Sequence, residues 1–184
     1  AEDCGNGANL RGVAFATPEK GIAFGEAGDK LFFSVDGGNT WETATVDGKV
    51  SDEKVGWFDG LFSDGLTGWV VGSYDTGNPP GKRVSYLLKT TDGGATWTAT
   101  SFSSYVGSDM CLAIDPLNTA IVYASNAGGI WKSSDGGATW VAITTGLTNT
   151  QVRSLAINPA NSQVIYAATD GGGVFKTLNG GVSW

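Results

Sequence analysis

The chain has 184 residues, 41% apolar and 11% aromatic, with 29 glycines and only 16% charged side chains. That is enough to bury a core, and it suits strands joined by tight turns better than long helices. With 18 acidic against 11 basic side chains, a net charge of −7 and no basic run interleaved with aromatics, the composition argues against nucleic acid as a partner. No apolar run approaches the ~20 residues of a membrane span, so membrane insertion is not expected either.

The opening "AEDCGNG" carries no initiator methionine, and Met110 is the one methionine present, which fits a mature chain whose signal peptide has been removed. An exported protein, extracellular or periplasmic, is the expectation. Cys4 and Cys111 stand far apart, without the close pairing of a zinc site or redox motif. A disulfide tying the N-terminal segment to the third repeat is one reading, and two free thiols are the other.

From about residue 9 the chain repeats itself. "SVDGGNTW" at 34–41 is followed by "TTDGGATW" at 90–97, "SSDGGATW" at 133–140 and "TLNGGVSW" at 177–184, at intervals of 56, 43 and 44 residues. Two short apolar segments precede each box, as in "AIVYASNAGGIWKS", and a third lies upstream: "LRGVAFA", "VGWFDGLF", "MCLAIDP" or "RSLAINP". The first three boxes are followed by a fourth segment, "ETATV", "TATSF" or "VAITT". The unit is therefore four short strands, A to D, with the box as the C–D hairpin: a blade of an all-β propeller. The predicted layout is an N-terminal segment at 1–8 and blades at about 9–50, 51–105, 106–148 and 149–184, the last lacking its D strand. In each box the glycines supply positive-φ turn positions, the Asp and the Ser or Thr hydroxyl accept backbone N–H groups, and the Trp packs between blades.

These four Ser/Thr-x-Asp-Gly-Gly-x-Thr-Trp phrases at blade spacing resemble the Asp-box, or bacterial neuraminidase, repeat of sialidases, sortilin-type receptors, xyloglucan-cleaving glycoside hydrolases and photosystem II assembly factors. "GLTGWVVGS…LLKTTDGGATW" is more similar to the photosystem-assembly branch, and "LAIDPLNTAIVYASNAGGIWKSSDGGATW" to the secreted glycosidase and sortilin branch. The fourth box departs from the pattern at Asn179 and Ser183. In these families the box lies away from the active or ligand-binding face. The resemblance therefore implies structural roles for Asp36, Trp41, Asp92, Trp97, Asp135, Trp140, Asn179 and Trp184. Each box supplies one Asp at most and no acidic neighbour, which speaks against calcium; neither a metal nor a cofactor is expected.

Strand alternation puts the A–B turns at the box end and the B–C and D–A loops at the other. The extra residues of the second unit, "SYDTGNPPGKRVS", fall in its B–C loop and mark the rim opposite the boxes as the candidate binding face. Candidate rim residues are Tyr74, Asp75, Lys82, Arg83, Tyr105, Asp109, Asn126 and Asp170, with Asp29, Asp52 and Glu53 beside them. A solvated polar rim with no ligand is the plainer alternative.

Catalytic constellations are scarce. The chain has no histidine, which removes Ser-His-Asp and Cys-His arrangements and His-ligated metals. Its three arginines, Arg11, Arg83 and Arg153, are few for a sialidase. A glycosidase pair could be drawn from Asp75, Asp109 and Asp170, although nothing in the sequence pairs them. The expected role is a non-catalytic scaffold binding protein or glycan. The alternatives are a segment of a polysaccharide-active glycoside hydrolase and a self-assembling extracellular protein, the latter a homo-oligomer formed through the open last blade.

Overall fold

The computed structural model describes residues 9–26, 30–47, 55–75, 83–104 and 110–184. These form strands and turns and no helix. They divide into two compact units, residues 1–105 and 106–184.

In the first unit, β1 (Asn9–Phe15), β2 (Gly21–Glu26), β3 (Phe32–Ser34) and β4 (Glu42–Thr43) form one antiparallel meander. The second sheet is β5 (Thr45–Asp47), β6 (Gly56–Phe62), β7 (Gly68–Asp75), β8 (Arg83–Thr90) and β9 (Thr96–Ser104), in the order β5-β9-β8-β7-β6. The predicted D strand of the first blade is thus divided. Its first half pairs antiparallel with β3, and its second half crosses to run parallel with β9, matching Val46 to Trp97. The predicted 73–85 loop is also shorter than expected. The β7–β8 ladder continues through Tyr74↔Val84 to Asp75↔Arg83, because those residues alternate in register with the apolar strand below them.

In the second unit, β10 (Leu112–Ile114), β11 (Val122–Asn126), β12 (Gly129–Ser133) and β13 (Val141–Ala142) make a four-stranded blade. β14 (Val152–Ile157), β15 (Ile165–Thr169) and β16 (Gly173–Thr177) make a three-stranded one. All four sheets are blades of β-propeller type, as the repeat predicts.

Cores form where one blade packs on the next. Ile22, Phe24, Leu31 and Ala44 of the first blade bury against Trp57, Val70, Leu88 and Trp97 of the second. Cys111, Tyr123 and Ile130 bury with Val152, Ile165 and Ala167 in the other unit. Large apolar side chains at full burial contribute about 1.5–3 kcal/mol each, so Trp57 and Trp97, at 1% and 0% exposure, dominate the first joint. The second box glycine sets how close the blades come. Gly94, at φ 101°, would place a Cβ 2.6 Å from Ile22 Cγ2, and a side chain there would push the blades apart.

Candidate functional site

The two ends of the blades differ in chemistry. At the box end the polar side chains at the repeated positions of each box bond within their own turn. In the second box the Thr90 hydroxyl donates to Asp92 Oδ1 at 2.8 Å and accepts from Gly94 N–H at 3.0 Å, while Asp92 Oδ2 accepts from Thr96 Oγ1 at 2.5 Å. Ser34, Asp36 and Thr40, and Ser133, Asp135 and Thr139, repeat this pattern. These donors hold Asp36 and Asp135 down at about 2, led in each case by the following threonine hydroxyl. In the fourth box Asn179 Oδ1 accepts from Thr177 Oγ1 and Ser183 N–H, but its Nδ2 donates to Ser183 Oγ at 3.0 Å, reversing one bond. The first glycine of each box donates to a carbonyl in the A–B turn of its own blade: Gly37 to Glu19, Gly93 to Leu66, Gly136 to Ala120 and Gly180 to Gln163, at 2.8–2.9 Å. The A–B turns therefore share the box end, as strand alternation predicts. A carboxylate with both oxygens occupied by its own turn is a fastener, not a ligand group. Among the described residues no cluster of three or more His, Cys, Asp or Glu could hold a metal.

The opposite rim is built differently. Three of the four A strands carry a register shift near their rim ends, between Leu10 and Gly12, Trp57 and Asp59, and Val152 and Ser154. A bulge leaves one residue out of the ladder and re-aims its side chain, and the three residues left out are Arg11, Phe58 and Arg153. Arg11 lies over the Phe58 ring, 5.0 Å from its centroid. Arg153 Nη2 donates to Asp170 Oδ2 at 2.7 Å, with both side chains about half exposed (47% and 53%). The third arginine, Arg83, begins β8 at the same end of the second blade. All three guanidinium-bearing residues thus stand at rim ends of strands, within a chain of net charge −7.

The remaining candidates fall around this set. Tyr74 stacks on Tyr86 with centroids 5.6 Å apart and planes 15° apart, on the face that packs toward the first blade. Asp75 closes β7 opposite Arg83 in the ladder. Asn126 is fully buried, not a loop-tip contact: its Oδ1 accepts from Gly128 N–H at 2.8 Å and more weakly from Trp131 Nε1 at 3.4 Å, and its Nδ2 has no partner. Asp170 is pinned by Arg153, and its backbone carbonyl accepts from Asn149 Nδ2 at 2.7 Å. Lys82, Tyr105, Asp109, Asp29, Asp52, Glu53 and Cys4 lie outside the described residues. Cys111 is buried, with its Sγ 3.1 Å from Ser125 Oγ. The sequence reading named Arg11 and Arg153 only as too few for a sialidase and passed over Tyr86. Aligning "NLRGVAF", "GWFDGLF" and "QVRSLAI" by their A-strand position would have exposed the shared third-place slot.

Comparison with known proteins follows the same division between scaffold and enzyme. The family model for photosynthesis system II assembly factor YCF48 matches residues 3–184. A xyloglucanase of Hypocrea jecorina is 28% identical over 144 residues, covering 69% of this chain and 17% of that protein. A solved structure of YCF48 bound to D1 peptide superposes with a TM-score of 0.61 at 25% identity, covering 89% of this chain and 47% of that one. The GH74 xyloglucanase of Xanthomonas campestris superposes with a TM-score of 0.68 over 98% of this chain and 30% of its own, and its 16% identity shows the fold alone. The chain spans less than half the length of these relatives. By its match along nearly the whole sequence, the chain belongs to the photosynthesis system II assembly factor YCF48 family.

Proposed function

We propose that this chain is a non-catalytic binding and assembly scaffold whose ligand is a polypeptide carrying carboxylates, received at the end of the first unit's blades opposite their boxes. The observation that carries the reading is the placement of Arg11 and Arg83 at rim ends of strands in the first unit, the former aimed by a bulge. Arginine offers a planar fork suited to carboxylates. The peptide-bound state of the YCF48 neighbour supports a polypeptide as the ligand class. Tyr74 and Tyr86 add a rigid aromatic surface beside it.

The test is fluorescence anisotropy with labelled acidic peptides, the same peptides with carboxylates amidated, and xyloglucan oligosaccharides. Saturable, salt-sensitive binding of the acidic set alone is expected. Equal binding of acidic and amidated peptides would remove the arginine rim from the reading. The second reading, a segment of a xyloglucan-active hydrolase, rests on the 28% identity to the xyloglucanase; it expects oligosaccharide binding and sugar release instead. Export belongs to the proposal as well, and localisation of the tagged protein by cell fractionation checks it.

A further inference from the structure

The fourth box differs from the other three in the group it presents to its own backbone. In those three an aspartate precedes the first glycine, and the hydrogen-bond donors around Asp36 and Asp135 keep both carboxyls ionised. An ionised carboxylate is a poor electrophile. Position 179 carries a neutral amide instead, followed directly by Gly180. An amide carbonyl beside a glycine is open to attack by the glycine's backbone nitrogen, because no Cβ obstructs the approach. Asn179 is also exposed, so water reaches it.

The closed box keeps both reacting groups in other bonds. Asn179 Oδ1 accepts from Thr177 Oγ1 at 2.8 Å and from Ser183 N–H at 3.0 Å, and Nδ2 donates to Ser183 Oγ at 3.0 Å. Gly180 N–H donates to the Gln163 carbonyl in the A–B turn at 2.9 Å. Thr177, only 1% exposed, ties the two together by accepting from Asn179 N–H at 3.3 Å and Gly181 N–H at 3.1 Å. For the Gly180 nitrogen to reach Asn179 Cγ, the box must release Ser183 and part from Gln163. That is a local opening, which a folded chain visits without unfolding as a whole.

We propose that Asn179 is a deamidation site whose rate is set by the opening of its box, with water as the co-reactant. In the open box the Gly180 nitrogen gives its proton to solvent base and bonds to Asn179 Cγ. The Cγ–Nδ2 bond breaks, and the nitrogen leaves as ammonia with a proton taken from water. Water then adds to one carbonyl of the resulting five-membered imide and opens the ring. Nothing is oxidised or reduced: amide and water become carboxylic acid and ammonia. Breaking the new bond to Cγ leaves an aspartate, the residue of the other three boxes, with the Ser183 hydroxyl in place to donate to it. Breaking the main-chain bond instead routes the backbone through Cβ, and the box cannot close as before.

Peptide mapping by mass spectrometry tests this, after incubation in mildly alkaline buffer of the folded protein, the urea-unfolded protein and a synthetic peptide of residues 174–184. Mapping also separates Asn179 from the chain's other Asn-Gly pair, Asn6–Gly7. Conversion at 179 in the folded protein should be at least about tenfold slower than in the two unfolded samples, the protection that a closed box confers. Thr177→Val keeps the side-chain shape and removes the hydroxyl, and preparations whose circular dichroism matches the parent should convert faster than the parent. The comparison of folded with unfolded parent decides alone if that variant does not fold. Folded protein that converts as fast as the unfolded samples, unfolded samples that do not convert, or a folded Thr177→Val no faster than the parent would overturn the proposal.

Discussion

The indole nitrogen of Trp184 donates to the carbonyl of Ile143 in the preceding blade at 2.7 Å, and its backbone N–H donates to Thr145 at 2.9 Å. Trp41, Trp97 and Trp140 instead return the indole donor to the second glycine of their own box, at 3.0, 2.8 and 3.1 Å. Trp97 joins its neighbour through the ladder with Val46. In both inter-blade cases the box tryptophan is bonded to the segment arriving from the blade before it, so one residue closes a turn and fixes a joint.

Two substitutions separate those tasks. Trp97→Ala empties a site at 0% exposure and should cost about 3–5 kcal/mol, the range for removing a large buried aromatic. Trp184→Phe keeps most of the apolar contact and strands the Ile143 carbonyl, costing about 1 kcal/mol. Urea unfolding followed by tryptophan fluorescence measures both, and equal costs would deny the distinction.

Asp92→Ala removes the acceptor for Thr96 N–H and Thr96 Oγ1 and leaves the Thr90 hydroxyl to rotate away. The turn is solvent-facing, so water replaces part of what is lost, and the expected cost is about 1 kcal/mol, comparable to deleting a helix N-cap. Peptide affinity at the other end should be unchanged at temperatures where the fold survives. A variant that melts like the parent yet fails to bind would reassign the box.

Acid should loosen the boxes selectively. Asp36 and Asp135 have folded pKa values of about 2 against an ordinary 3.8. A depressed carboxylate stabilises the fold above its unfolded pKa, and that contribution is lost as pH falls through the folded value. Stability should therefore decline between about pH 4 and pH 2. Asn179 contributes nothing to this slope. Asn179→Asp replaces the Nδ2 donor with an acceptor for the Ser183 hydroxyl and should be neutral or mildly stabilising at pH 7 while steepening the acid decline. Urea midpoints collected against pH show it, and an unchanged slope in the variant would contradict the assignment.

The boxes, the blade count and the end of the blade on which each turn lies were legible because turn chemistry is local: a Ser or Thr, an Asp and two glycines make their bonds within five residues. What lay outside that range was less legible. The split of 42–47 between β4 and β5 depends on Val46 finding Trp97, some 50 residues on. The burial of Asn126 depends on a neighbouring strand that gives no sign at position 126 itself. The bulges matter most for function, because no propensity marks Arg11, Phe58 or Arg153 as the residue that drops out of its ladder. Only comparison of one A strand with another reveals the slot.

The cysteines offer an independent check. Cys111 is 6% exposed, and its backbone N–H donates to Ser125 Oγ at 3.0 Å. A bulky thiol reagent should therefore leave it unmodified in the native protein and reach it only on unfolding. If Cys4 is bonded to it, non-reducing mass spectrometry will find two hydrogens missing, and reduction will remove a constraint typically worth about 2–4 kcal/mol and lower the melting temperature. Two alkylatable thiols in the denatured, unreduced protein would refute the pairing.

The last prediction distinguishes scaffold from hydrolase at the rim. Arg83→Ala and Tyr74→Ala should each weaken an acidic peptide roughly tenfold, the loss of one charge-assisted contact or one aromatic anchor. Arg153 of the second unit, held by Asp170 at 2.7 Å, is the control. Arg153→Ala and Asp170→Asn should both leave peptide affinity unchanged. A hydrolase predicts another pattern. Removing one carboxylate of a working pair collapses turnover while saccharide binding persists, so Asp75→Asn, Asp109→Asn or Asp170→Asn would abolish reducing-sugar release from xyloglucan. The two series run on the same preparations. Sugar release by the parent that disappears in one Asp→Asn variant would displace the scaffold reading. Peptide affinity that falls with Arg83→Ala and Tyr74→Ala, and holds with Arg153→Ala, would tie recognition to the first unit.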